Sequence, residues 1–216
     1  SVSAFLLNRS SDLTLYEKID PVRFIGNYSS GKMGYALAEA CAERGAEVTL
    51  VSGPVNLKVT HPNIHRIDVE SAEQMYNAAV SAYTEADAGI LCAAVADFTP
   101  ETVAGQKIKR EKDDLVLRLK PTHDIAAALG KQKQAHQKLV GFALETTDEV
   151  AHAQDKLNRK NFDFIVLNSL NDKGAGFRCD TNKITIIDRQ GTTPYPLKGK
   201  KEVADDIIDR LVDLFS

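Results

Sequence analysis

An α/β fold with a doubly wound, mainly parallel sheet is what this sequence predicts, on three observations. Residues 47–52, 88–94, 139–144 and 164–167 are short runs, apolar or rich in β-branched side chains, and 88–94 shows none of the alternation of a half-solvated strand. Helix-forming stretches alternate with them, at 32–44, 71–84 and 148–160. Such alternation implies a parallel sheet with helices on both faces, and ligands outside the carboxyl ends of its strands.

Taken in order, residues 2–7 can form a strand, although the first fifteen residues carry the least information and are expected to be the most mobile. Next comes Asp20-Pro-Val-Arg-Phe-Ile-Gly-Asn-Tyr-Ser-Ser-Gly-Lys-Met-Gly34, a loop that opens a helix. Small and hydrogen-bonding residues lie between Gly26 and Gly31, helix formers run on from Lys32, and Gly45 closes the run. Ser29 or Ser30 is expected to cap this helix, whose free N–H groups and positive dipole end suit a phosphate. A plain capped helix after a glycine turn fits the same residues.

Two nucleotide signatures fail at this loop. Gly26-x4-Gly31-Lys32 has Met33 where a Walker loop needs a Ser or Thr hydroxyl for Mg2+, and no apolar strand leads into it. A Rossmann-type NAD(P) oxidoreductase is disfavoured, because there is no G-x-G-x-x-G and the strand at 47–52 ends in Ser52-Gly53 without an acid for a ribose. A non-catalytic nucleotide-binding module would need the phosphate loop but no turnover.

Further along, Gly53-Pro54 stops the strand at 47–52, residues 64–69 make another, and Ser71 caps the helix that follows. The strand at 88–94 delivers Asp97 and Phe98 to the crevice, 139–144 delivers Glu145 and Thr146, and 164–167 delivers Asn168. A carboxylate beside an aromatic ring suits a sugar hydroxyl or base amine and a stacked base; a solvated acid and a core Phe read equally from position. Two segments break the alternation. Residues 106–120 are basic, then acidic, then alternate with period two from Leu115 to Leu119, and 183–188 with Gly191 has a hairpin pattern. They read as an antiparallel flap, about 106–120 with 183–196. The final helix, 201–215, is amphipathic and packs on the sheet. Without repeats, linkers or low-complexity tracts, residues 1–216 read as a single domain.

A formal charge of -3, 43% apolar residues and 6% aromatics describe a soluble globular protein with no basic face for nucleic acid. Cys41, Cys92 and Cys179 stand far apart and odd in number, which suggests neither a disulfide framework nor a zinc knuckle and favours buried thiols in a reducing cytosol. No apolar run is long enough to span a membrane, and the first residues lack the basic start of a signal peptide. His61 and His65 flank a Pro-Asn loop and read as surface residues.

The 20–34 stretch, taken with Ala93-Ala-Val-Ala-Asp-Phe98, Lys107-Ile-Lys-Arg110 and Gly141-Phe-Ala-Leu-Glu-Thr146, resembles the bacterial, CTP-using phosphopantothenoylcysteine synthetases over about residues 16–216. In many bacteria that enzyme is the C-terminal half of a bifunctional coenzyme A biosynthesis protein. The resemblance implies a cytoplasmic ligase that joins 4′-phosphopantothenate to L-cysteine through an acyl-cytidylate, releasing CMP and pyrophosphate, with Mg2+ travelling with CTP. It also implies a Rossmann-like sheet whose flap serves a homodimer, and a fused or separate flavin-dependent decarboxylase, with no flavin in this chain.

Matched residue by residue, the resemblance implies that Asn27 holds the acyl-nucleotide for the second half-reaction and that Lys107 contacts the nucleotide phosphates and supports turnover. Arg23 joins Asn27 as a substrate contact. CTP contacts are implied at Ser29, Ser30, Gly31, Leu91, Cys92, Ala93, Asp97, Phe98, Lys107, His123, Asp124, Ile125, Ala126, Phe142, Lys156 and Lys160. Lys156 and Lys160 lie four apart on one helix face, so both can reach one anion, although the spacing also fits surface lysines. Two departures stand out. Thr122-His123 replaces the usual Asn-Pro, and the Thr-Ala-Gly-x-Thr loop expected before Tyr16 is absent, which removes a glycine from the nucleotide cradle.

Overall fold

The computed structural model describes residues 2–8, 15–27, 31–93, 95–110, 114–145, 148–169 and 180–216. Ser29, Ser30, Thr146 and Cys179 lie outside these residues. The chain opens with β1 (Ser3–Asn8), the hairpin β2 (Glu17–Lys18) and β3 (Phe24–Ile25), and helix α1 (Lys32–Glu43). β4 (Glu47–Ser52), β5 (Ile64–Asp68), α2 (Ala72–Glu85) and β6 (Ala88–Leu91) follow, then the short pair β7 (Phe98–Pro100) and β8 (Leu119–Pro121). After these come α3 (Ile125–Gln132), β9 (Lys138–Glu145), α4 (Glu149–Arg159) and β10 (Phe164–Ser169). The chain ends with β11 (Thr181–Asn182), β12 (Ile184–Asp188), β13 (Thr192–Pro194), β14 (Lys198–Gly199) and α5 (Lys200–Asp213).

The eight-stranded main sheet has the order β13-β12-β10-β9-β6-β1-β4-β5. From β5 to β10 every neighbour is parallel, and β12 and β13 add an antiparallel edge. β1 stands between β4 and β6, with Leu7 opposite both Val51 and Leu91, so the strand order reverses there and a crevice opens at the carboxyl ends.

Side-chain alternation along β1 divides the core into two layers. Ala4 and Leu6 pack with α1 and α5, whereas Phe5 and Leu7 pack with Met75, Ala79 and Tyr83 of α2, Leu129 of α3 and Leu157 of α4. Phe5, Leu6, Leu50, Ile90, Val140 and Phe164 are completely buried, and each such side chain contributes about 1.5–3 kcal/mol. Arg44 ties the outer layer together, donating to Asp205 and Asp209 of α5 at 3.0 and 2.6 Å.

Several expectations need correction. The strand expected at 2–7 is present as Ser3–Asn8, an inner strand of the sheet, and Leu15 is fully buried, whereas residues 9–14 lie outside the described residues. The N-cap of α1 is Gly31, at φ 64°, a left-handed conformation that glycine adopts without a Cβ penalty; the capping role expected of Ser29 or Ser30 lies outside the described residues. The strand expected at 88–94 stops at Leu91, because the chain turns away at the crevice. Of the alternating stretch at 115–119 only Leu119 enters a strand, in the β7–β8 pair. The hairpin at 184–194 joins the edge of the main sheet through β10 and, among the described residues, does not pair with the 106–120 segment.

Candidate functional site

At the crevice, the chain leaving β6 passes Ala93, Val95 and Ala96 to Asp97 and Phe98, and it is stitched to the segment after β8. The Thr122 N–H donates to the Asp97 carbonyl at 2.9 Å and the Thr122 hydroxyl to the Ala96 carbonyl at 2.7 Å. These bonds satisfy backbone carbonyls that have left the sheet, and they place Asp97 and Phe98 beside His123 and Asp124. The exposed Phe98 ring and the half-buried Phe142 ring of β9 supply apolar surface.

The opposite wall comes from the end of α4. Gly130 of α3 backs directly onto that end, since a Cβ there would stand 2.0 Å from the Lys160 carbonyl oxygen. Only glycine permits this approach, which the Asn161 amide reinforces by donating to the Gly130 carbonyl at 3.0 Å. The contact carries Lys160 to Asp124, and the two form an ion pair. Asp124 is also the N-cap of α3, accepting from the Ala127 N–H at 2.9 Å. Burial works to raise the Asp124 carboxyl, but the Lys160 ammonium, the Ala127 N–H and the Arg159 charge outweigh it and hold it below the usual carboxylate range.

Leu91, Ala93, Asp97, Phe98, His123, Asp124, Ile125, Ala126, Phe142, Lys156 and Lys160 thus share one cleft of about 590 Å3. One wall is apolar and aromatic, another carries Lys156, Arg159 and Lys160, and the N-terminus of α3 adds the positive end of a helix dipole. Such a site suits a planar ring joined to an anion. Arg159 and Phe162 also line it and were missed by the sequence reading. Arg159 was within reach of that reading, being three residues from Lys156 on the same face of α4. His123 does more than line the cleft: it stacks on Tyr76 of α2 with centroids 4.6 Å apart and lies 3.4 Å from the Glu73 carboxylate.

Other expected site residues lie elsewhere. Gly31 is buried at the start of α1, and Lys32 pairs with Asp180. Cys92 packs against the layer of α1 and α5, and burial pushes its thiol up to about 12. Asn168 accepts from the Asn182 amide at 3.1 Å. Arg23, Asn27 and Lys107 do not line the cleft; Asn27 and Lys107 are exposed, and Arg23 reaches across to Lys107's neighbour, donating to the Ile108 carbonyl at 2.6 Å. Among the described residues no group of three or more His, Cys, Asp or Glu side chains could hold a metal ion. His65 lies exposed beside Glu47. No helix of the described residues is long and apolar enough to cross a membrane.

Comparison with known proteins identifies the family and the fold. Residues 14–214 match the family described as DNA/pantothenate metabolism flavoprotein C-terminal domain. A protein from an unknown prokaryotic organism named cysteine/cysteine sulfinic acid decarboxylase is 58% identical over 199 residues, 92% of this chain and 55% of that protein. The coenzyme A biosynthesis bifunctional protein CoaBC of Bacillus subtilis is 46% identical over 199 residues, 92% of this chain and 49% of its own length. The chain therefore spans about half the length of these curated relatives. A crystal structure of the C-terminal domain of a CoaBC protein superposes with a TM-score of 0.81 at 39% identity, covering 98% of this chain and 94% of that one.

Proposed function

Because the chain belongs to the family of the DNA/pantothenate metabolism flavoprotein C-terminal domain, as the resemblance to phosphopantothenoylcysteine synthetases implies, we propose that it joins 4′-phosphopantothenate to L-cysteine with CTP. The observation that carries this reading is the convergence of Asp97, Phe142, Lys156 and Lys160 with the N-terminus of α3 in one cleft at the switch point.

The chemistry explains why cations and amides matter more than a nucleophilic side chain. An amine cannot expel hydroxide from a carboxylate, so the substrate carboxylate first attacks the α-phosphate of CTP and pyrophosphate leaves. The cysteine amine then attacks the acyl carbon, CMP departs with the bonding pair, and the amine proton is lost. Both steps gain from groups that offset developing negative charge. Phe142 and Phe98 are placed for the base and Asp97 for a ribose hydroxyl or base amine. Lys156, Arg159 and Lys160, with the N–H groups of Ile125 and Ala126, face the phosphates. Lys107 supports loss of pyrophosphate. Asn27, whose amide both donates and accepts, holds the acyl-nucleotide while the carbonyl changes geometry. Mg2+ would accompany the triphosphate and supply screening of its charge.

Leu115, Val116 and Leu119, 54, 82 and 46% exposed, support docking of a second copy through this segment in a cytoplasmic homodimer. In longer proteins of this kind, we assign the neighbouring length to a flavin-dependent decarboxylase that consumes the ligated product. The decisive experiment is pyrophosphate release from the purified chain, which is expected only when CTP and 4′-phosphopantothenate are both present; release from CTP alone would sink the proposal.

A further inference from the structure

Asp20 is a buried charge that the chemistry above leaves unused. The residue is 1% exposed and its side chain not at all, and a carboxylate removed from water persists only where it is fully hydrogen-bonded. Oδ1 accepts from the N–H groups of Val22 and Arg23, both at 2.8 Å, a local turn that an uncharged Asn or Ser could also make. Oδ2 does something else. It accepts from the Ile108 N–H at 3.1 Å, across 88 residues of chain, while the Arg23 guanidinium stands 3.7 Å away and donates to the Ile108 carbonyl at 2.6 Å.

Both main-chain groups of Ile108 are thus met by two side chains acting together, in the manner of a neighbouring strand. Residues 107–110 have no regular structure of their own, so without this pairing the backbone at Ile108 would turn to water. A second tie, from the Ala104 N–H to the Ile19 carbonyl at 2.9 Å, fixes the approach of the same segment. Lys107 is the next residue along, and Asn27 is four residues beyond Arg23. We propose that Asp20, with Arg23, is a positioning residue that clamps the Lys107 loop to the loop carrying Asn27, so that lysine and amide act on one acyl-nucleotide. The inference rests on the ligase reading for its consequence and on geometry alone for the clamp.

Asp20→Asn separates the two jobs of the carboxylate. The amide oxygen still closes the turn at Val22 and Arg23, whereas the NH2 group meets the Ile108 N–H donor to donor and loses the attraction to Arg23. Hydrogen exchange at the Ile108 amide is expected to quicken at least tenfold in Asp20→Asn, with the amides of Leu50 and Val166 unchanged. The kcat for pyrophosphate release should fall at least tenfold with KM for CTP within threefold. In the Lys107→Gln background, Asp20→Asn should cost no more than a further twofold, since a residue that acts through Lys107 has nothing left to position. Unchanged Ile108 exchange, or independent losses that multiply in the double variant, overturns the clamp. Should Asp20→Asn fail to fold, Arg23→Met removes the other half of the pairing, and the same quickening at Ile108 is expected. Wild-type protein that releases no pyrophosphate refutes the ligase reading separately, and the exchange measurement still decides the clamp.

Discussion

Asp124 and Lys160 meet across 36 residues of sequence, one capping α3 and the other ending α4, and their ion pair forms a corner of the cleft. A lysine pinned in this way is already oriented when an anion arrives, so less side-chain entropy is lost on binding. Asp124→Ala is expected to lower stability to urea by about 1 kcal/mol, chiefly through the lost cap, because the carboxylate is half-exposed and its ion pair is screened. Affinity for CTP should also fall, and an unaltered CTP titration by calorimetry would remove Asp124 from the site.

CTP with Mg2+ should raise the thermal midpoint, whereas NAD should not. A ligand that binds only the folded state stabilises by RT ln(1 + [L]/Kd), about 2.7 kcal/mol at one hundred times Kd. Equal shifts from both nucleotides in a thermal melt would contradict the CTP assignment.

Lys107→Gln and Asn27→Ala should divide the two half-reactions. Loss of one charge-assisted contact in the transition state typically costs about 3 kcal/mol, so Lys107→Gln should slow the pyrophosphate burst by about two orders of magnitude. Asn27→Ala should spare that burst and slow amide formation. Rapid-quench measurement of both steps decides it, and equal losses in the two steps for Asn27→Ala would contradict the role given to Asn27.

Cys41 should resist thiol reagents in the native protein at pH 8. Its side chain is buried and burial pushes the thiol up to about 12, so little thiolate is present to react. With Cys92 and Cys179 both replaced by Ser, titration with a disulfide reagent should find the remaining thiol only after unfolding; rapid labelling without denaturant would refute the buried environment of Cys41.

Asp20 should make stability depend on pH at the acid end. Burial acts to raise its carboxyl, yet the N–H groups of Val22, Ile108 and Arg23 and the Arg23 charge together lower it below its ordinary 3.8. Because the folded pKa is the lower one, its stabilising contribution is complete above 3.8 and is lost as pH falls through the folded value. The stability gap between wild type and Asp20→Asn in urea should therefore narrow below pH 3.8, and a gap constant to lower pH would show that the charge is not held as described.

What the sequence determined by itself is what depends on near neighbours. The strands at Glu47–Ser52 and Phe164–Ser169 follow from short apolar and β-branched runs, the helices α1, α2 and α4 from the 3.6-residue period, and their ends from local breakers such as Gly53-Pro54. The delivery of Asp97 and Phe98 to the crevice follows too, because side chains just past the carboxyl end of a parallel strand have one place to go. Only the tertiary structure decided that β12 and β13 extend the main sheet, that Gly31 begins α1 in a left-handed conformation, and that Lys160 reaches Asp124 because α3 rests on α4 at Gly130. The pairing of Asp20 and Arg23 with Ile108 belongs to the same class. Contacts between a side chain and a backbone 88 residues away leave no periodicity in the chain, since their energy depends on where the fold brings two surfaces together and not on which residues adjoin.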